Sequence, residues 1–228
     1  MTFCIRNRHP IRLAMIIICL VVYATGFAGS KPAARSDSLT ASKVFADIPL
    51  QVLDMLRPST RLDMIDYYEQ ADSLLTVTDA LGGSSRLEEV APDYLKVSVT
   101  PVSTLEIKLL PYKKGRIVMT LYTVGGTDLA KDTEVRFFDA DLQPMPTSKF
   151  LKAPDIRNFF NLKGSGVSMS DLMESVPFSA IEYTTGPADT PLTATFNTLS
   201  TLSDETRNLL APLLIPSLSS TWNDKFRF

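Results

Sequence analysis

The sequence predicts an α+β fold, in which a mainly antiparallel sheet carries two short N-terminal helices on one face. From Leu74 to about Val124, apolar and polar residues alternate with a period of two, which is typical of strands. The connections between these strands are short, and short connections join antiparallel strands, whereas parallel strands need long crossovers. Before Leu74, apolar residues recur at helical spacing instead. Helices that precede an antiparallel sheet are typical of the α+β class.

Two short helices are expected before the sheet. Pro49 suits a first helical position, and apolar residues follow at helical spacing until Pro58 stops the run. Thr60 and Asp63 form a capping box for a second helix, which should end near Glu69. The apolar stripe of this second helix is predicted to contain Leu62, Ile65 and Tyr68.

The strands of the sheet differ in what their two faces carry. Leucine, isoleucine and valine alternate with polar residues at 95–100 and 105–109, so each strand should have one buried and one solvated face. Glu106 and Lys108 belong to the face that we expect to be solvated. The strand 116–124 is apolar on both faces, so it should be central or covered by the helices.

The second half of the chain is expected to add strands and short helices. A long connection from Asp139 to Ser179 contains short helical candidates at 155–160 and 170–175, and we interpret it as a lid or docking loop. Later elements are strands at 134–138, 180–185 and 192–199, a helix capped by Ser203 that runs through Leu210, and a last edge strand with Phe226 and Phe228. Residues 43–228 are predicted to form a single domain, with a division into two lobes near residue 145 as the alternative.

The first 28 residues are typical of an export signal. Arg6, Arg8 and Arg12 precede an unbroken apolar run, 13–24, which is shorter than the ~20 residues needed to span a bilayer. Gly26 and Ala28 predict cleavage after Ala28. Ala24 offers an earlier site. A lipoprotein signal ending at Cys19 and an uncleaved anchor are the alternatives.

After cleavage the chain would begin with a flexible tether, residues 29–42, and would contain no transmembrane segment. Cleavage would also remove both cysteines, Cys4 and Cys19, and the only histidine, His9. Without these residue types the mature chain has no Ser-His-Asp triad, no thiol nucleophile and no zinc site of nitrogen and sulfur ligands. We therefore predict no catalytic residue, no cofactor and no metal.

A hydrolase that uses only carboxylates is the surviving alternative to this non-catalytic reading. Such an enzyme needs two acids at a defined separation. Glu88 with Glu89, and Asp63 with Asp66, are pairs that the sequence offers, although each is typical of a charged surface.

The charge of the mature chain does not favour nucleic acid as a partner. Twenty of the 23 basic residues remain after cleavage against 25 acidic ones, which gives a net charge of −5. Nucleic-acid binding needs a clustered basic face. Lys113 and Lys114 form the one basic pair in a turn, beside Gly115, and we interpret that pair as a solvated hairpin tip.

Four segments carry a resemblance to a known family. They are Leu81-Gly82-Gly83-Ser84-Ser85, Ser103-Thr104-Leu105-Glu106-Ile107-Lys108-Leu109-Leu110-Pro111, Val135-Arg136-Phe137-Phe138-Asp139 and Pro154-Asp155-Ile156-Arg157-Asn158-Phe159-Phe160. Together they resemble a family of uncharacterised exported proteins from Bacteroidales bacteria, a domain of unknown function, from about Lys43 to the C-terminus. The resemblance implies a Gram-negative envelope, with the periplasm favoured over a membrane-anchored state.

The same origin implies that O-glycans can be attached at Asp-Ser/Thr followed by an apolar residue. Asp37-Ser38-Leu39 and Asp72-Ser73-Leu74 match this pattern. Ser38 is the favoured site because it lies in the predicted tether.

Three functions fit a chain with these properties. The first is a non-catalytic envelope protein that contacts a protein partner through a sheet edge or through the connection 139–179. The second is a binder of a small lipid, peptide or glycan between sheet and helices, with contacts from Tyr67, Tyr68, Tyr122 and Trp222. The third is the carboxylate hydrolase, which predicts two acids facing each other across a cleft, at least one with a perturbed pKa.

Overall fold

Seven consecutive strands form the main sheet, as shown by a computed structural model that describes residues 39–70, 75–126 and 129–228. Every neighbouring pair in this sheet is antiparallel, and the spatial order follows the chain order, as short turns require. The strands are β1 (Val77–Thr78), β2 (Ser84–Ala91), β3 (Tyr94–Thr100), β4 (Ser103–Tyr112), β5 (Gly115–Val124), β6 (Asp132–Phe138) and β7 (Pro144–Met145). The predicted antiparallel sheet is thereby confirmed.

Two helices, α1 (Ala41–Asp47) and α2 (Pro58–Glu69), cover one face of the main sheet. The first predicted helix is wrong, because residues 49–56 form turns and the helix α1 lies before them. The side chain of Thr40 accepts a hydrogen bond from the backbone N–H of Lys43 and caps α1. The predicted stripe on α2 is also wrong at one position. Leu62 is 54% exposed, whereas Arg61 is completely buried.

The second half of the chain covers the opposite face. Its helices are α3 (Thr147–Phe150), α4 (Met169–Ser175) and α5 (Asp204–Leu210), with 3₁₀ turns at Ile156–Phe159, Thr198–Thr201 and Ala211–Leu213. Its strands are β8 (Leu151–Lys152), β9 (Ile181–Thr184), β10 (Leu192–Phe196), β11 (Ser217–Ser220) and β12 (Phe226–Arg227). An antiparallel sheet joins β9, β10 and β11, and β12 pairs in parallel with β8.

The main sheet therefore separates two hydrophobic clusters. The cluster on the helix side contains Leu105, Ile107 and Leu109 of β4, and the other contains Leu110 at the end of that strand. Strand β5 contributes to both clusters, with Val118 on the helix side and Met119 on the other. This strand was predicted to be central or covered by the helices, and it lies inside the main sheet with the helices on one face and the C-terminal half of the chain on the other.

One expectation about the sheet is wrong. Glu106 and Lys108 were predicted to be solvated, but they are only 4% and 3% exposed. Alternation along β4 correctly separates them from the leucine face. Their own face is buried because the loop after β9 lies over it, and that loop is far away along the chain.

The connection 139–179 contributes to the core. Phe150, Phe159 and Leu172 are fully buried there. Capping boxes that begin at Asp155 and Ser168 fix the starts of the two short helical segments. Residues 35–228 form one compact unit. Within the part that the structure describes, no helix is long and apolar enough to cross a membrane.

Candidate functional site

A polar cleft lies between the main sheet and β9. It has a volume of about 450 Å³, and we call it the Glu106 cleft. Its hydroxyl-bearing lining residues are Ser98, Thr100, Ser103, Thr104, Thr123 and Thr184. Its charged lining residues are Glu88, Lys96, Glu106, Lys131 and Glu182. The cleft forms because β3 and β4 turn polar side chains toward the C-terminal half of the chain, and β9, which packs against β5 and β6, contributes Glu182 and Thr184 to the lining.

Glu106 supplies the buried carboxylate of this cleft. Its Oε2 accepts a hydrogen bond of 3.1 Å from the backbone N–H of Thr185, and the hydroxyl of Tyr94 is a second hydrogen-bonding partner. Burial raises the pKa of Glu106 above its ordinary value, and the nearby charge of Glu182 acts in the same direction. Burial and the charge of Glu106 together raise the pKa of Tyr94. The carboxyl group is thus held in a poorly solvated position at the cleft.

The lysines of the cleft are paired with other carboxylates. The Nζ of Lys96 lies 3.2 Å from Oε2 of Glu88, and that of Lys131 lies 3.0 Å from Oε1 of Glu182. Among the described residues, Glu106 has no salt-bridge partner. Its remaining lone pairs can accept hydrogen bonds from a bound ligand.

Lys108 anchors the loop between β9 and β10 to the sheet. Its Nζ donates to Oδ2 of Asp93 at 2.6 Å, to the carbonyl of Gly186 at 2.9 Å and to the carbonyl of Ala188. These three bonds use all the protons of the ammonium group. Burial alone would raise the pKa of Asp93, but the hydrogen bond and charge of Lys108 outweigh it and lower that pKa. Lys108 therefore anchors the loop whose first residue, Thr185, donates to Glu106.

A second cleft of about 380 Å³ is lined by Ala188, Asp189 and Thr190 of this loop. Arg116 and Trp222 line it, together with Asp93 and Lys108. The indole Nε1 of Trp222 donates to the carbonyl of Pro111 at 2.7 Å, so the orientation of the ring is fixed.

We expect the stability of a Glu106→Gln variant, relative to the wild type, to increase as the pH rises above 4.5, the ordinary pKa of this carboxyl group. Above that pH the unfolded chain loses its proton while the folded chain keeps it, so folding becomes less favourable until Glu106 also ionises in the folded state. The neutral amide has no such proton to lose. Urea unfolding at a series of pH values checks this.

Glu174→Gln, at an exposed position of α4, controls for the loss of a surface charge. A stability difference between the Glu106→Gln variant and the wild type that stays constant with pH would contradict the raised pKa.

None of the four aromatic residues nominated from the sequence lines the Glu106 cleft. Tyr67 is exposed on α2, and Tyr68 is half-buried against the helix-side cluster. Tyr122 also packs there, and its hydroxyl donates to Oγ of Ser103 at 3.4 Å. Trp222 lines the second cleft. The role of these four residues in ligand contact stays a prediction.

The other nominated residues are distributed as follows. Ser38 and Ser73 lie outside the described residues. Glu88 lines the Glu106 cleft, whereas Asp63 and Asp66 are exposed on α2. Within residues 39–70, 75–126 and 129–228, no group of three or more His, Cys, Asp or Glu residues is placed to hold a metal ion.

Comparison with known proteins identifies the fold and the family. The chain is similar in structure to a domain of an uncharacterized protein from Porphyromonas gingivalis W83, with a TM-score of 0.69 and 19% sequence identity over 82% of this chain and 96% of that chain. At that identity the likeness shows a shared fold alone. No curated protein matches the chain. The family described as "Protein of unknown function (DUF3256)" matches residues 33–228, and the chain therefore belongs to this family.

Proposed function

We propose that the protein is a non-catalytic envelope protein that binds a small glycan in the Glu106 cleft. The observation that carries this proposal is a nearly buried carboxylate beside six serine and threonine residues in one open cleft. Sugars present many O–H donors, and carboxylate and hydroxyl oxygens are the groups that accept them. Buried acceptors also give specificity, because a ligand without the matching donors leaves them unpaired.

The lining distinguishes a glycan from a lipid. Lipid pockets are lined mainly by apolar and aromatic side chains, whereas the apolar part of this cleft is limited to Pro101, Val102 and the glycines Gly125 and Gly126. The geometry also gives less support to binding through a sheet edge. The edge strands of the main sheet, β1 and β7, have only two residues each, and very short edge strands are a common protection against pairing.

One observation favours a second candidate, a glycoside hydrolase. Glu106 and Glu182 line the same cleft, and the charge of Glu182 helps to raise the pKa of Glu106. A raised pKa suits a general acid, and the second carboxylate would be the base or nucleophile. The two candidates share a ligand and differ only in whether the ligand is cleaved.

A Thr104→Trp variant tests the site. Thr104 lines the cleft and is half-buried, so an indole at this position should fill part of the space and lower glycan affinity at least tenfold. Titration calorimetry with a panel of soluble mono- to tetrasaccharides, amino sugars included, measures the affinity. Asn208→Trp, at an exposed position of α5, is the matched control and should bind like the wild type.

Each outcome of this experiment decides something. Equal binding by the wild type and the Thr104→Trp variant would place the sugar elsewhere, and no binding by any sugar would contradict the glycan proposal. Chromatography of the same mixtures after incubation separates the two candidates. Shortened oligosaccharides that disappear in a Glu182→Gln variant would indicate the hydrolase.

The envelope location rests on Arg6, Arg8 and Arg12 followed by the apolar run 13–24. Tagged protein released by osmotic shock from its own cells supplies material for the binding experiment and tests the location. Its intact mass reports whether residues 1–28 are removed and whether Ser38 carries a glycan. Tagged protein that stays inside the shocked cells with residues 1–28 attached would contradict export.

A further inference from the structure

Seven basic residues from separate parts of the chain lie at one end of the main sheet, and we call them the basic end. Three come from the turn between β4 and β5 and the start of β5, two from α3 and β8, and two from the C-terminal segment around β12. They are Lys113, Lys114, Arg116, Lys149, Lys152, Lys225 and Arg227. All but Lys225, which is half-buried, are exposed.

Contacts show that these segments meet. The Nζ atoms of Lys113 and Lys149 lie 5.4 Å and 5.3 Å from the ring centre of the same residue, Tyr112. Lys225 donates to the carbonyl of Ser148 at 2.9 Å. Parallel pairing of β8 with β12 places Arg227 opposite Lys152.

The positive charge of the basic end is not neutralised within the described chain. None of its seven side chains forms a salt bridge with a described carboxylate. Asp189 and Asp224 lie in neighbouring loops, and Asp139 and Asp141 lie in the turn between β6 and β7 at the same end of the sheet, so counting all four acids leaves a net charge of about +3. The local charge is therefore positive in a chain whose formal net charge is −2.

A rigid aromatic cluster supports the basic end. The ring centres of Tyr112 and Phe150 are 5.2 Å apart, and those of Trp222 and Phe226 are 5.0 Å apart. Tyr112 and Trp222 are half-buried, so each has an apolar body in the cluster and an edge at the surface. Half-exposed tyrosine and tryptophan beside basic residues are typical of surfaces that meet the lipid headgroup region.

The position at which the described chain begins indicates which anionic surface can lie near the basic end. The backbone N–H of Ala41 donates to the carbonyl of Pro92, and that of Leu109 donates to the carbonyl of Asp93. The described chain therefore begins beside the turn between β2 and β3, at the same end of the sheet as the turn between β4 and β5. Residues 25–38 separate this point from the apolar run 13–24, and such a segment reaches at most roughly 50 Å.

We propose that the basic end binds the anionic phospholipid surface of a membrane. The chain that leaves this end of the sheet leads to an apolar run preceded by arginines. A bilayer that holds this run, before cleavage or as an anchor, is within reach of the basic end. This surface is distinct from the Glu106 cleft, so it is tested independently of glycan binding.

Vesicle co-sedimentation tests the proposal. Residues 35–228 form one compact unit and contain the described parts of both hydrophobic clusters and all three sheets. We expect this piece to unfold in a cooperative thermal transition, and this is measured first as the check that it folds. We expect it to bind phosphatidylcholine vesicles that contain phosphatidylglycerol, to release them in high salt, and not to bind vesicles of phosphatidylcholine alone.

The double variant Lys113→Gln/Lys114→Gln should lower the vesicle partition constant roughly 25-fold, since each basic residue near an anionic surface contributes about a factor of five. Both residues are exposed in a turn, so the fold should be unaffected. Arg86→Gln/Lys163→Gln, two exposed basic residues outside the basic end, is the matched control and should bind like the wild type.

Three results would overturn the proposal. One is no binding to the anionic vesicles. Another is an equal loss of binding in the two double variants, which would indicate a response to net charge alone. The third is tighter binding to single-stranded RNA than to the vesicles, which would indicate a soluble polyanion as the partner.

Discussion

Replacing Arg61 by methionine is expected to lower the free energy of unfolding by about 3–5 kcal/mol. Arg61 is completely buried on α2, and its guanidinium donates to the carbonyls of Leu56 at 2.8 Å, Leu53 at 2.9 Å and Ile48. Longer contacts of 3.5 Å reach the carbonyls of Phe45 and Ala46, in the last turn of α1. Helix C-termini leave such carbonyls without partners, so the substitution would bury several unsatisfied acceptors at once.

Urea denaturation monitored by circular dichroism measures this effect. Arg57→Met is the control, because Arg57 is exposed at the start of α2 and its side chain does not cap the helix. If the Arg61→Met variant does not fold, Arg61→Lys supplies the measurement, since a lysine keeps the charge but satisfies fewer carbonyls. Stability within 1 kcal/mol of the wild type in either Arg61 variant would show that these bonds do not hold the helical layer together.

The variant Lys108→Met should lower the free energy of unfolding by about 2–3 kcal/mol. This is a small cost for the loss of a buried ion pair, because the partner of Lys108, Asp93, is partly solvated. The side chain of Lys108 is 4% exposed and that of Asp93 is 26% exposed. The methionine would leave Asp93 and the carbonyls of Gly186 and Ala188 without their shared donor. We also expect faster amide hydrogen exchange at 185–190, since the loop would lose its anchor.

Lys96→Met is the matched control on the neighbouring strand. The side chains of Lys96 and Glu88 are 34% and 29% exposed, and partly exposed pairs of this kind contribute about 1 kcal/mol or less. An equal cost for both lysines, with unchanged exchange in the loop, would mean that Lys108 does not anchor the loop between β9 and β10.

Local patterns were sufficient for much of the sheet. Short turns correctly predicted that the strands at 95–100, 105–109 and 116–124 pair in antiparallel order. The apolar residues on both sides of 116–124 predicted a strand that is central or covered by the helices, and β5 is central in the main sheet. Ser203 was predicted to cap a helix, and its Oγ accepts the backbone N–H of Thr206. These features depend on residues close together in the chain, so they can be predicted from the sequence.

The first helix shows where local reasoning failed. Proline at position 49 and leucines at helical spacing favoured a helix at 49–56, but that segment forms turns whose carbonyls bind Arg61. The buried guanidinium of Arg61, on the next helix, thus donates hydrogen bonds to carbonyls that would have accepted backbone N–H groups if this segment were a helix. The spacing of apolar residues along the chain does not predict this long-range contact.

By itself, the sequence determined the fold class, the order of the main strands and which side chains share a face, because strand period and turn length are local properties. Only the tertiary structure decided what covers each face. The loop at 185–190 buries Glu106 and Lys108, which the alternation had placed in solvent. The basic end likewise assembles lysines and arginines from segments far apart in the chain, and such clusters depend on long-range packing that no local period encodes.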